Sequence, residues 1–565
     1  MTRAYAGRFG PQALERGYRL RLFAPGASRV DLHIDGRVAA MGQSGDWFAL
    51  DEPSARAGSR YAFAVDGRAA IPDPGSRFQP DGVHAASEIV AADFVWPDDG
   101  WRGRPWHEHA IYELHVGTFT FEGTYEAAAR KLRELVALGV TAIELMPIGA
   151  FPGRRNWGYD GVLPYAPFAG YGRPDDLRRF IAAAHAHGLA VLLDVVYNHF
   201  GPEGNYLHAL APEFFNPREQ TPWGAAIAVD VPDVRAYFTE NAAYWIGDFR
   251  FDGLRLDATH AIVDEDWPSF LREVRAAALA ACGPERRIAL IVENEHNDVT
   301  LLDEGFEAQW NDDVEHAAHV LATGETQTYY APFAADPAGL LGRALTCGFV
   351  RGPSSARFPL TAFVGFLQNH DQIGNRAFGE RLSHLTTPAA LRALTALILL
   401  APSPPLLFMG EEWAASTPFL FFCDFEPDLA QRVAAGRRRE FPGTPDPAAV
   451  TTFEASQLRW EERDEPHHAA ALALTTAVLR ARMRYVVPVN AGVRGSDATC
   501  ERVGATGLRL RWKLADGALY ADANLGGEAL DGFPERLTGE TFFATHGEVY
   551  RDGRAPAWSV RWART

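Results

Sequence analysis

Lysine is nearly missing from this chain. Of 565 residues only Lys131 and Lys513 are lysines, so almost all positive charge is arginine. That skew reads as the codon bias of a GC-rich genome and carries no functional weight. Cysteine is scarce as well. The four, Cys282, Cys347, Cys423 and Cys500, are scattered with no paired spacing, which argues against a disulfide framework or a zinc site and favours a reducing cytoplasm. No window reaches the roughly 18 uninterrupted apolar residues that a membrane helix requires. The opening run MTRAYAGRFGPQALERG lacks the apolar core of a signal peptide. Positive charge falls well short of negative, and a net charge of −18 disfavours nucleic acid and anionic membranes while suiting a neutral substrate.

What is present points to several domains, because 565 residues exceed one compact core. The first segment alternates in the manner of strands: Tyr18, Leu20 and Leu22 with Arg19 and Arg21, then Val30, Leu32 and Ile34, then Tyr61, Phe63 and Val65. Short strands separated by Pro and Gly predict a β-sandwich over residues 1–95. The turn-rich WPDDGWRGRP opens a linker, 96–109.

From Ile111 apolar strands alternate with helical stretches. Eight strand candidates follow one another: Ile111–Val116, Ala142–Pro147, Val191–Tyr197, Phe249–Leu256, Ile288–Val292, Gly305–Gln309, Ala362–Leu367 and Leu406–Met409, of which the sixth is weak. Tyr125–Leu138 has helical spacing, and a second helix opens at Asp175 and ends near Gly188. Alternation of this length predicts an α/β domain, a (β/α)8 TIM barrel over 110–484. Two excursions interrupt it: a long, Pro- and Gly-rich insert at 200–231, and another at about 314–360 with Tyr329, Tyr330 and Phe333. From about 485 alternation returns, predicting a C-terminal β domain to residue 565.

Four stretches place an acid or a histidine at the end of an apolar run: DVVYNH (194–199), GLRLDATH (253–260), IVENE (291–295) and FLQNHD (366–371). If these runs are parallel strands of one barrel, Asp257, Glu293 and Asp371 converge on the face where the strands end. Two or three carboxylates around one point are what glycosidic bond cleavage needs. Arg255 and Asp257, two apart, share one side of a strand, and a guanidinium beside a carboxylate favours the ionised acid that a nucleophile must be. Glu293 emerges from an apolar strand among anions, so it should hold its proton as general acid. Glu295, two residues on, is its rival. Taken singly, each acid reads as a cap or surface group; spaced across separate strand ends, they do not.

These four regions, present in order, resemble the α-amylase family of glycoside hydrolases, and the resemblance covers essentially the whole chain. It implies Asp257 as nucleophile, Glu293 as general acid/base and Asp371 as the third acid gripping sugar hydroxyls. It further implies substrate-binding roles for Arg255, His199, His370 and the stacking Tyr159 of NWGYDG, with Asp194 a structural acid. DVVYNHFGPEGNY, TPWGAAI, NHDQIGNRAFGERL and LLFMGEEWAASTPF resemble the maltooligosyltrehalose trehalohydrolases within that family. IYELHVGTFTFEGTY is shared with branching enzymes. IVENEHND departs from the usual pattern, with Glu295 where an Asp is customary.

The implied reaction is retaining hydrolysis of the α-1,4 bond next to the terminal trehalose unit of maltooligosyltrehalose, releasing trehalose, with carboxyls about 5 to 5.5 Å apart. No cofactor and no metal are implied. The implied pathway partner is a synthase that makes the substrate. Trp157, Tyr159, His260 and the loop Glu411–Trp413 are candidate walls for the trehalose side. Asn198 takes a subsite or scaffold role. His107 and His109 need no metal, His185, His187, His467 and His468 read as solvated, and the run Arg437–Glu440 reads as a solvated face. The competing readings are a glycogen branching enzyme, which would transfer the chain to a 6-hydroxyl, and a non-catalytic glucan-binding barrel, which loss of an acid would have favoured.

Overall fold

The computed structural model describes residues 7–91, 93–97, 100–221, 223–350 and 355–565. Residues 1–6 and Ala92 of the expected sandwich, Asp98 and Asp99 of the expected linker, Pro222 of TPWGAAI and residues 351–354 of the second insert lie outside these. Two four-stranded antiparallel sheets open the chain. One runs Gln12–Ala13, Tyr18–Phe23, Trp47–Glu52, Gly42–Ser44, the other Arg37–Ala40, Val30–Ile34, Arg60–Val65, Ser87–Glu88. Alternation decides what is buried: Leu20, Leu22, Val30, Leu32 and Ile34 are buried, whereas Arg19 and Arg21 stay partly open.

Eight parallel strands then close a barrel. They are β1 (Ile111–Leu114), β2 (Ala142–Leu145), β3 (Ala190–Val195), β4 (Gly253–Leu256), β5 (Ala289–Val292), β6 (Ala308–Trp310), β7 (Phe363–Phe366) and β8 (Pro405–Phe408). Every strand residue is buried, as expected where helices cover the outside and side chains fill the inside. The fourth strand begins at Gly253, because Phe249 to Asp252 form the turn out of helix Pro232–Asp248. The sixth is only three residues long and starts at Ala308, since helix Thr300–Asp303 and its exit turn use the preceding positions.

The interior carries the functional logic. Ile111, Ala142, Leu192, Ile291, Ala308, Val364, Phe366 and Leu406 form an apolar cluster of their own, separate from the outer core. Two residues further along the strands, period-two alternation brings the next inward side chain. Those positions are Glu113, Glu144, Asp194 and Glu293, with Trp310 on β6. On β4 the inward pair is Arg255 and Asp257. An apolar plug is thus capped by a layer of ionisable groups where the strands end.

Several local expectations change. Tyr125–Leu138 splits into helices Tyr125–Ala129 and Leu132–Leu138. The 200–231 insert contains a hairpin, Phe215–Thr221 with Gly224–Ile227. The second insert is largely helical, with Asp312–Thr323 and Pro337–Cys347. Helix persists to Asn490, and the C-terminal sheet begins only at Ala498, in the order Ala498–Val503, Gly507–Lys513, Ala518–Asn524, Ser559–Arg564, Glu540–Ala544. Among the described residues no helix is long and apolar enough to cross a membrane.

Candidate active site

Arg255 organises the layer. Its Nη1 donates to Asp194 Oδ2 (2.7 Å) and Asp257 Oδ1 (2.8 Å), and its Nη2 donates to Glu293 Oε2 (2.5 Å). The guanidinium also lies 4.1 Å from the centroid of the Trp310 ring. One buried cation therefore gathers acids from three neighbouring strands, β3, β4 and β5, at one point. Ala258, next after Asp257, adopts a left-handed conformation (φ 39°), and its N–H donates to Glu293 Oε2 (3.2 Å). Local strain of this kind persists where surrounding contacts over-determine it.

The two acids have opposite surroundings. Burial works to raise Asp257, but Arg255, the Asn198 amide (2.8 Å to Oδ2) and His199 outweigh it and hold the carboxyl below its ordinary range. For Glu293 burial wins. It is pushed up to about 8, with Asp257, Asp312 and Asp371 adding to the effect and Arg255 offsetting only part of it. At neutral pH this geometry offers one ionised carboxylate and one protonated carboxyl side by side.

Asp371 enters from the first turn of a short helix, α1 (His370–Gly374). Its Oδ1 accepts from the Asn375 amide (2.6 Å), and it stands exposed in the cleft. His370 is clamped by Glu113, which accepts from its backbone N–H (3.0 Å) and from Nδ1 (2.5 Å). Burial opposes the imidazolium, yet the Glu113 carboxylate prevails and His370 is raised. Tyr159 stacks on His370 (5.1 Å between centroids) and donates its hydroxyl to Asp194 (2.6 Å). Gly158 makes this presentation possible. With φ at +108°, any Cβ there would meet the Pro147 carbonyl oxygen at 2.1 Å. His199 stacks on the exposed Trp223 (4.7 Å) and bonds the Tyr159 carbonyl (2.9 Å). A cleft of about 360 Å³ lined by Glu293, Trp310, Asp312, Tyr329 and Asp371 opens beside the acids.

Other expected site residues stand elsewhere. Trp157 is buried behind His370, its indole N–H donating to the Leu420 carbonyl (2.9 Å) and its ring meeting His370 edge-on at 5.7 Å. His260 lies at the rim beside His296 and Glu295, and Glu295 is itself exposed and outside the guanidinium cluster. Glu293, not Glu295, holds the inward position. The loop Glu411–Trp413 is no wall: Trp413 is fully buried and donates to Glu462 (2.9 Å), while Glu412 accepts from Tyr112 (3.0 Å).

Of the four histidines read as solvated, His187 and His467 are exposed, but His185 and His468 are not. His185 is buried, stacked on Trp101 and bonded to Asp252 (2.8 Å), and His468 is buried against the Trp413 carbonyl. His109 is buried with Nδ1 on the Pro105 carbonyl. Glu465, His467 and His468 bring metal-type ligand atoms within 4.8 Å of one another at the start of helix Pro466–Ala481. That group stands apart from the acids.

Residues 89–223 match the catalytic domain of alpha amylase. A malto-oligosyltrehalose trehalohydrolase of Arthrobacter ramosus is 42% identical over 521 residues, covering 85% of this chain and 89% of its own. The chain belongs to the malto-oligosyltrehalose trehalohydrolase family. A crystal structure from Salmonella typhimurium, described as a candidate alpha amylase, matches with a TM-score of 0.96 at 41% identity, over 99% of this chain and 100% of that one. A 1,4-alpha-glucan branching enzyme of Corynebacterium jeikeium reaches 34% identity over 287 residues, only 46% of this chain and 40% of its own.

In this trehalohydrolase-family site, several residues went unread in the sequence: Glu113, Glu144, Trp310 and Asp312. Glu113 and Glu144 were within reach, since they occupy the same inward position on β1 and β2 that Asp194 occupies on β3. Glu144 is fully buried and held well above its ordinary range by burial and by the neighbouring acids Glu113 and Asp194. Asn198 proves to touch Asp257 directly. Arg437, from the run read as a solvated face, donates to Asn375 (2.9 Å) and to the Gly374 carbonyl (2.8 Å), bracing the helix that carries Asp371.

Proposed function

We propose that this chain hydrolyses maltooligosyltrehalose at the α-1,4 bond next to its terminal trehalose unit, with retention of configuration, and releases trehalose. One observation carries the chemistry. Asp257 and Glu293 share the Arg255 guanidinium, yet the first is held ionised and the second protonated. Glu293 gives its proton to the glycosidic oxygen while Asp257 attacks the anomeric carbon, forming a covalent glycosyl-enzyme. Glu293, now ionised, takes a proton from the incoming water, which displaces Asp257 and restores both acids. Asp371, His370, His199 and Tyr159 grip the sugar under attack, and the 360 Å³ cleft beyond Glu293 receives trehalose. The family relationship supports this substrate over a plain α-glucan. The proposal extends to a cytoplasmic place in trehalose formation, beside a synthase that builds the trehalose end.

The test is a parallel digestion of maltooligosyltrehalose and amylose, with products separated by chromatography. Rapid release of trehalose and slow attack on amylose are expected. New α-1,6 branches with no trehalose would move the assignment to a branching transferase. Asp257→Asn should lose at least about 10⁴-fold in kcat, the scale on which losing a nucleophile acts, with its circular dichroism unchanged.

A further inference from the structure

A second groove, larger than the cleft at the acids, lies away from them. It has a volume of about 740 Å³ and is floored partly by Gly117, Gly123 and Gly153 and bounded on one side by residues 79–83 of the N-terminal β region. Phe121 stands in its wall 84% exposed, the most exposed phenylalanine among the described residues. A single exposed ring is ordinary by itself; this one stands in the wall of a groove that also presents charged side chains.

The surroundings are built and rigid. Gln457 donates to the Phe121 carbonyl (3.2 Å). Gln79 is buried and donates to the Gly82 and Ala85 carbonyls (3.1 and 3.2 Å), fixing the facing loop. The Arg154 backbone N–H is anchored on Asp424 (2.7 Å), while its guanidinium makes no ion pair among the described residues and is exposed at the groove. Asp81 and Glu122 bring carboxylates to the rim. A flat exposed ring beside an unpaired guanidinium, with the Arg60-paired Asp81 and the Arg130-paired Glu122 at the rim, matches a hexose chain. Apolar sugar faces pack on the ring, and hydroxyls bond to the charged groups.

Its position relative to the acids gives the ligand a direction. The loop after β2 lines the groove with Ala150, Phe151, Gly153 and Arg154 and then delivers Tyr159 to the site. Five residues of chain from Arg154 to Tyr159 reach at most about 18 Å. The 360 Å³ cleft lies over β5 to β7, whereas the groove lies over β1 and β2. A chain that leaves the acids past Tyr159, along the loop after β2, runs toward the groove. We propose that the groove holds the non-reducing part of the α-glucan chain, several glucose units from the bond cleaved, and so makes the protein prefer long substrates. This rests on the substrate reading above.

The test compares maltosyltrehalose with a maltooligosyltrehalose of about twenty glucose units on the wild type, Phe121→Ala and Phe121→Trp. Phe121→Ala should raise KM for the long substrate about tenfold, the loss of one aromatic stacking contact. Its kcat, and both constants for the short substrate, should stay at wild-type values, and Phe121→Trp should restore the long-substrate KM. Equal KM changes on both substrates, or none on either, would overturn the groove assignment while leaving the trehalohydrolase reading intact. A wild type that frees no trehalose from either substrate would overturn both.

Discussion

Glu293 keeps its proton because burial and three nearby carboxylates act together against one guanidinium, and Asp257 loses its proton because the same guanidinium is reinforced by Asn198 and His199. Activity requires Asp257 ionised as the nucleophile and Glu293 protonated as the acid. The pH profile of kcat/KM should therefore rise through the depressed Asp257 value, below the ordinary carboxylate range, and fall as pH passes about 8. Asp312 offers a way to move one limb alone. It sits at the head of helix Asp312–Thr323 and is one of the anions raising Glu293; its own value, near 6, leaves it ionised where Glu293 titrates. Asp312→Asn keeps an oxygen to accept from Gln372 (3.2 Å) but removes the charge. The basic limb should shift to lower pH, with the acidic limb unmoved. A basic limb that stays put in the variant would mean that Glu293 does not set it.

Helix α1, only five residues long, holds two functional side chains in its first turn, and its start rests on one residue. The Asn369 side chain accepts from the backbone N–H groups of Asp371 (2.9 Å) and Gln372 (3.1 Å), which a helix start leaves without internal partners. Asn369→Ala should cost about 1 kcal/mol of stability and, by loosening His370 and Asp371 together, lower kcat about tenfold. Steady-state kinetics beside a urea titration would check this; an unchanged kcat would show that Glu113 and Arg437 alone suffice to place the helix. The same element shows what a sequence can reveal. The acid of FLQNHD was legible because it closes an apolar run, and the strand acids were legible because period-two alternation carries Arg255 and Asp257 inward together. Arg437 was not, because an arginine-rich stretch on a helix face has the pattern of a solvated surface, and only the fold brings it to a carbonyl 63 residues away. The sixth strand was blurred for a related reason. With three residues it has too little length for alternation to separate it from the helix before it.

The flanking β regions are seated on the barrel by contacts that local sequence pattern could not announce. Arg77 of the N-terminal region lies over the rings of Tyr165 (4.5 Å) and Tyr244 (4.2 Å), and Tyr237 donates to the Pro74 carbonyl (2.7 Å). In the C-terminal sheet Trp512 and Trp562 stack at 5.3 Å and donate to carbonyls of helices Pro337–Cys347 and Pro388–Leu399. Arg482 connects this sheet's approach to the barrel. It is fully buried at the end of helix Pro466–Ala481 and donates to the carbonyls of Leu399 (3.0 Å), Ala401 (2.5 Å) and Ser403 (2.8 Å), just before β8. The Leu399 carbonyl ends helix Pro388–Leu399 and cannot be satisfied within it, and the other two lie in the connection to β8. Arg482→Met would keep the apolar stem and strip three buried acceptors of their donor, each loss costing about 1–3 kcal/mol. The catalytic groups lie on the strand-end face and share no partner with Arg482, so kcat at 25 °C should match the wild type while the thermal midpoint falls by several degrees. Differential scanning calorimetry with parallel kinetics separates the outcomes. A variant with the wild-type midpoint would show that the C-terminal sheet is held by its tryptophans alone, and one with reduced kcat at full folding would show that the end of the barrel helix reaches the site through β8.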